Sequence, residues 1–319
     1  MKKKLFIFVL VLALCAALFA GCKPAEDKIQ IKVVMPDGAP SLAMAKMLYE
    51  LPEFDGYEVT YEILNGVDPL NAAILNGSSD IALMPTILAS KHYNGGIDIK
   101  IVGSNVFGVL YVIGKTEINS MDDLKGKLIG NLGPGGTPDF LFKYLAGAGN
   151  FQVSDERIDG KIALKYAAEA NTLIGFVANN TIDYAVLGEP QVTAALGKNS
   201  DFKVVMDLQE EWGGSYPQVS TVVKGSVLKD HSAFVAAFLD KVAEGADWAA
   251  QNPDKVQSGL TANGSSLKNI TAAVIERSNL GFVPAAEIKD EIDAYLQMHL
   301  NFAAASIGGK MPGEGLYNI

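Results

Sequence analysis

The sequence predicts an α/β protein of two lobes with a cleft between them, each lobe a mostly parallel sheet flanked by helices. Three observations carry this reading. From Ile29 onward, short apolar strands alternate with helical patterns, an order that places helices on the faces of a parallel sheet. The alternation starts afresh after Ile113. Four strands end in a small turn with a Pro at the start of the next helix.

The first run of elements is compact. Ile29–Met35 (IQIKVVM) is β-branched and alternating, and Tyr57–Leu64 repeats the period of two; both read as strands. Between them Pro40–Leu51 has helical spacing. Pro69–Leu75 is a helix that stops at Asn76-Gly77. Ile81–Met84 is a short buried strand, Thr86–Tyr93 a helix, and Ile99–Gly103 and Val106–Ile113 are strands. The second run places strands at Leu128–Gly130, Ile162–Tyr166, Tyr184–Leu187, Phe202–Met206 and Val219–Val223. Helices fall at Pro138–Ala146, Asn171–Ala178 and Pro190–Leu196. Everything after Val223 reads as helical: Val227–Ala250, Ile270–Gly281 and Ala285–Ala305. The last of these carries Ile288, Ile292, Tyr295, Leu296, His299 and Leu300 near one face, a core pattern. The predicted lobes are residues 29–106 with 221–319, and residues 107–220.

The N-terminus is a targeting segment. Lys2, Lys3 and Lys4 precede an uncharged apolar run from Leu5 to Ala20, closed by Gly21-Cys22. That order is a secretory signal, expected to be residues 1–21. Phe19-Ala20-Gly21-Cys22 resembles the bacterial lipobox, with Phe19 where Leu is preferred. Lipidation of Cys22 with more than one acyl chain would hold the protein stably to the outer face of the cytoplasmic membrane. Residues 22–28 read as a polar tether. The other cysteine, Cys15, lies inside the signal, so the mature body has no thiol for a disulfide or a zinc site. The net charge of −10 argues against nucleic acid as a partner. No metal-ligand spacing, cofactor motif or catalytic Ser/His/Asp arrangement is visible, and the chain is expected to be a monomer and not an enzyme.

The four strand-end segments are the candidate site. They are Met35-Pro36-Asp37-Gly38-Ala39-Pro40, Met84-Pro85-Thr86, Gly130 through Pro138 (GNLGPGGTP), and Leu187-Gly188-Glu189-Pro190. In open α/β sheets ligands sit beyond the carboxyl ends of strands, where helix N-termini present free N–H groups. The expected ligand-binding residues are Asp37, Gly38, Ser41, Met84, Thr86, Gly135, Gly136, Thr137 and Glu189. The chain is expected to cross between the lobes near Val106–Val112 and Val219–Val223; Phe107, Trp212 and Tyr216 lie near these crossings or the lobe edges and could stack on a ring. The loops hold no Arg or Lys. Two ligand classes remain open: an oxyanion held by N–H groups and the hydroxyls of Ser41, Thr86 and Thr137, or, favoured on the sequence, a neutral or aminated ring stacked on these aromatics and bonded to Glu189.

With these segments in view the chain resembles the solute-binding lipoproteins of ABC importers, in the group that binds nitrate, sulfonates, taurine or thiamine precursors. The matching stretches are Leu70–Ala89, Ser120–Leu145, Asp183–Leu196 and the tail Ile307–Tyr317 (IGGKMPGEGLY). The resemblance implies a type II-like periplasmic-binding fold that closes on its solute and docks on a permease with its ATPase. Enzymes of the menaquinone- and pyrimidine-pathway type resemble the same fold, and so would a ligand sensor; the export signal argues against the enzymes.

Overall fold

The computed structural model describes residues 28–147 and 149–318; the signal segment and Cys22 lie outside them. The chain opens with β1 (Ile29–Pro36), α1 (Ala39–Ala43), α2 (Ala45–Glu50), β2 (Tyr57–Leu64) and α3 (Val67–Leu75). It continues through β3 (Ile81–Pro85), α4 (Thr86–Asn94) and β4 (Ile99–Val106). The second set is β5 (Leu110–Gly114), β6 (Leu128–Leu132), α5 (Thr137–Leu145), β7 (Phe151–Val153) and β8 (Ile162–Ala167). It ends with α6 (Ala170–Ala178), β9 (Tyr184–Gly188), α7 (Gln191–Lys198), β10 (Lys203–Asp207) and α8 (Leu208–Trp212). Then come β11 (Val219–Lys224), α9 (Gly225–Asp230), α10 (Ser232–Ala243), α11 (Gly245–Gln251), α12 (Pro253–Ala262), α13 (Ala272–Arg277), β12 (Leu280–Pro284) and α14 (Ala285–Ala303).

Two six-stranded sheets result. One has the order β12-β4-β11-β3-β1-β2, the other β10-β5-β9-β6-β8-β7. In the first, β2, β1, β3 and β4 point one way, with β11 and β12 against them. In the second only β5 runs against the rest. Both are therefore mostly parallel, as the sequence predicts.

The period of two explains the layers. Ile31, Val33 and Met35 of β1 face one apolar cluster with Phe234, Phe238 and Leu260, while Val34 faces another with Leu70, Ile292 and Leu296. Leu110 and Val112 of β5 enter a cluster with Phe142, Tyr216 and Tyr295, and Tyr111 and Ile113 one with Leu173 and Val192. The edge strand β2 alternates half-buried with exposed residues, and its exposed side carries Glu58 and Glu62, charges that discourage pairing with another chain.

The tail differs from the helical reading. The stretch expected as one helix over Val227–Ala250 is three, interrupted at His231 and Glu244. At the last break Gly245 approaches the backbone so closely that a Cβ would lie 3.1 Å from the Ala43 carbonyl oxygen. Asn279, at φ 44°, ends the segment after α13, and Leu280–Pro284 forms an antiparallel edge strand on β4.

The chain passes from the first sheet to the second between Val106 and Leu110, and returns between Asp207 and Val219. These passages are cross-linked. Gln209 Oε1 accepts from the Leu110 amide at 3.0 Å and from the Tyr216 hydroxyl at 3.1 Å. The Val109 amide donates to Gln218 Oε1, and the Gln218 amide to the Val106 carbonyl. Gly108 has φ +82°, and a Cβ there would lie 2.5 Å from Gln209 and 2.8 Å from the Tyr216 ring, so this passage requires glycine. No helix among the described residues is long and apolar enough to cross a membrane.

Candidate functional site

At the carboxyl edge of the first sheet, polar groups bond to their own surroundings. Asp37 follows β1. Its carboxylate accepts from Ser265 Oγ at 2.6 Å, from Ser266 Oγ and the Ser266 amide at 2.7 Å, and from Ser41 Oγ at 3.3 Å. Burial raises the Asp37 pKa, but these four donors outweigh it and hold the carboxyl below its ordinary range. Ser41 also donates to the Gly38 carbonyl and accepts from the Gly38 amide, which closes the turn on itself. Thr86 is fully buried; its hydroxyl donates to the Pro217 carbonyl at 2.7 Å and meets Ser220 Oγ at 2.8 Å. Met84 is buried in the cluster with Val34 and Ile101, against which half-buried Phe107 also packs.

The second sheet's edge is built differently. The loop Gly133–Thr137 runs from β6 into α5. Gly135 sits at φ +87° and donates its amide to Asp139 Oδ2 at 2.9 Å. Asp139 is 1% exposed and also binds Lys143 at 2.9 Å and the Tyr166 hydroxyl at 2.5 Å. The loop is thus pinned from behind by a buried carboxylate that the sequence reading missed. Thr137 before Pro138 reads from the sequence as a good N-cap, but the N-cap position is Gly136, and among the described residues no side chain caps the helix. Among the described residues the Gly136 and Thr137 amides make no hydrogen bond, so the N-terminus of α5 keeps open donors.

Glu189 follows β9 beside this loop. The register Gly130↔Ala185 brings β6 and β9 side by side as parallel neighbours, so both carboxyl ends open on the same edge of the sheet. The Glu189 side chain is wholly buried and pairs with Arg277 at 2.5 Å. It also accepts from the Thr193 hydroxyl at 2.8 Å and, more weakly, the Thr193 amide at 3.3 Å. Arg277 stands 88 residues further on. It is one of only two arginines, and that rarity was the one sequence signal that could have drawn attention to it.

The aromatic candidates divide. Tyr216 is fully buried and stacks on Tyr295 of α14 at 5.3 Å and 19°. Trp212 packs edgewise on Tyr216 at 5.8 Å and on Tyr295 at 6.3 Å. The Tyr295 hydroxyl faces Thr137 but completes no hydrogen bond of normal geometry, and burial pushes its pKa far up. One turn on, His299 is fully buried against Phe140 and Tyr295, with neither nitrogen bonded among the described residues. Burial alone lowers its pKa to about 4. Thr137, Trp212 and Tyr216 thus gather around Tyr295, whose spacing marks it only as core, while Thr86 is held apart by Pro217 and Ser220. Asp37, Gly38 and Ser41 form a separate cluster, and Glu189 a third with Arg277. A cavity of about 320 Å³ lies elsewhere, lined by Asp80, Asp98 and Lys224 at the amino ends of β3 and β4. Its distance from every strand-end loop argues against it as the solute site. Among the described residues no group of three or more His, Cys, Asp or Glu gathers as metal ligands would.

Solved structures share this architecture. An ABC transporter protein from Parabacteroides distasonis is 26% identical, with 92% of this chain and 99% of that chain covered and a TM-score of 0.77. The periplasmic aliphatic sulphonate binding protein SsuA from Escherichia coli is 15% identical over 89% of each chain, with a TM-score of 0.68. The alkanesulfonate-binding protein SsuA from Xanthomonas axonopodis pv. citri, bound to MOPS, is 18% identical over 92% of this chain and 99% of that one, with a TM-score of 0.62. The fold is therefore that of the binding proteins of ABC importers. The NMT1/THI5-like family profile matches residues 55–256, and the chain belongs to that family. No curated protein matches it.

Proposed function

We propose that this chain is the lipid-anchored solute-binding component of an ABC import system and that it captures a small organic oxyanion of the sulfonate type for delivery to a permease. One observation carries the choice of ligand class. At the carboxyl edge of the second sheet the open groups are donors, the amides of Gly136 and Thr137 at the head of α5, while the nearby carboxylate of Glu189 is already bonded to Arg277 and Thr193. An aminated ring would have to displace Arg277 to reach Glu189. An oxyanion needs no displacement and gains the helix N-terminus. The sulfonate-binding neighbours agree with this reading. The imidazoles support binding over chemistry: His92 is bonded to Asn71, His231 to Tyr57, and His299 is sealed. Closure of the two sheets over the solute would follow from contacts made only when closed.

The anchor rests on Cys22. The Cys22→Ser variant is expected to leave the membrane fraction after a carbonate wash, and its retention there would overturn the lipoprotein reading. For the solute, calorimetry of the delipidated body against ethanesulfonate, nitrate and 2-aminopyrimidine decides. Heat from the sulfonate is expected; heat from the aminopyrimidine alone would reverse the assignment.

A further inference from the structure

Arg277 has its root on one side of the molecule and its charge on the other. Its neighbours Val274 and Ile275 sit in the core of the first sheet, while its guanidinium reaches the end of β9 in the second. There Nε donates to Glu189 Oε1 and Nη2 to Thr193 Oγ1, both at 2.5 Å. Its carbonyl accepts from the Tyr111 hydroxyl at 2.9 Å, and Asn279 Nδ2 donates to the Gly108 carbonyl at 2.9 Å, so the backbone is fixed as well.

The pair is layered. The Glu189 side chain is 0% exposed and that of Arg277 23%: the carboxylate lies behind and the guanidinium in front. Two of the guanidinium's nitrogens are held in plane by Glu189 and Thr193, and its remaining N–H groups bond to nothing among the described residues. A planar fork held this way presents a fixed edge of donors suited to a carboxylate or sulfonate. That edge stands at the end of β9, the parallel neighbour of β6, from which the chain runs into the open amides of α5.

We propose that Arg277 binds the acid group of the solute through its free guanidinium edge, opposite the Gly136 and Thr137 amides, and that Glu189 and Thr193 are positioning residues that aim it. The assignment rests on the oxyanion reading above. It gives the site the cation that the strand-end loops lack, delivered from an element of the first sheet. An anion held between α5 and Arg277 touches both sheets at once, a contact that exists only when they are close.

The test uses the Cys22→Ser body with ethanesulfonate and its uncharged analogue ethanesulfonamide, in wild type, Arg277→Gln and Arg277→Lys. Wild type should prefer the acid. Arg277→Gln should lose about tenfold to hundredfold in ethanesulfonate affinity, the range of one charge-assisted contact, and the preference for acid over amide should collapse. Arg277→Lys keeps the charge without the fork and should fall between. A merely structural role would weaken both probes alike and leave the ratio unchanged, which overturns the proposal. Should Arg277→Gln unfold, an unchanged ratio in Arg277→Lys overturns it equally. A wild type that binds no oxyanion overturns the ligand class and the role of Arg277 together. A wild type that prefers the acid, beside an Arg277→Gln that prefers it equally, overturns only Arg277.

Discussion

At the carboxyl end of β1 the carboxylate and hydroxyl of the Asp37–Ser41 turn are taken by neighbours; at the carboxyl end of β6 the Gly133–Thr137 loop leaves two amides without a partner. Both loops are tied by an aspartate. Asp37 ties its turn to Ser265 and Ser266, more than two hundred residues away, so its bonds join distant chain to distant chain. Asp139 ties its own loop through the Gly135 amide, with Lys143 one turn on and Tyr166 of β8 as its other partners, and leaves the next two amides without a partner among the described residues. The same residue type therefore cements a wall in one sheet and holds a hand open in the other. Pinning a loop from behind is what frees its front for a ligand.

Replacing Asp139 should break this contrast most severely. Asp139→Ala leaves Lys143 and the Tyr166 hydroxyl without their buried partner, and is expected to cost about 3–5 kcal/mol in urea unfolding while also abolishing solute binding. His299 comes next. Its pKa is about 4 in the fold against an ordinary 6.5. Its stabilising neutral state is therefore fully present above pH 6.5 and is lost as pH falls towards 4, about 3 kcal/mol in all. His299→Leu should flatten that part of the stability–pH profile and raise the melting temperature at pH 5 more than at pH 7.5. Asp37→Ala should cost about 2–3 kcal/mol, with solute affinity changed far less than by Asp139→Ala. A wild-type loss of stability below the ordinary carboxylate range is the acid signature of the same residue. Smallest in stability is Gly136→Val. Gly136 has φ −92°, and a Cβ meets nothing closer than 3.7 Å, so the fold should change by less than about 0.5 kcal/mol. Binding should nevertheless weaken by about tenfold or more, roughly 1.4 kcal/mol, because the side chain stands over the open amides. Equal binding by calorimetry would place the solute elsewhere.

The α/β class was legible because β1, β5 and the strands beside them carry their apolar residues at period two, on two buried faces. The strand-end loops were legible from Gly and Pro, which mark where chain direction changes. The destination of each hydrogen bond was not. The Thr86 hydroxyl reads as a free donor until the fold brings Pro217 and Ser220, 131 and 134 residues on, into contact with it. Glu189 likewise reads as an acceptor for an amine until α13 delivers Arg277. β12 escaped because Leu280–Pro284 is strand only by virtue of the neighbour it finds in β4, and a five-residue edge has little periodicity of its own. Tyr295 and His299 stand four apart on an apolar face, and spacing alone does not separate a packed aromatic from a polar tip with no partner.

α14 belongs to both halves. Ile288, Ile292 and Leu296 lie in a core of the first sheet, while Tyr295 and Met298 lie in a core of the second. Along its second stripe Tyr295, His299 and Phe302 meet Thr137, Phe140 and Tyr144 of α5 in the same order, so the two helices run side by side in one direction like meshed racks. Turning one sheet against the other drags α5 across these teeth. Interlocked rings of this size resist partial slippage, so a closure of the sheets would move between a few stops in place of a free swing.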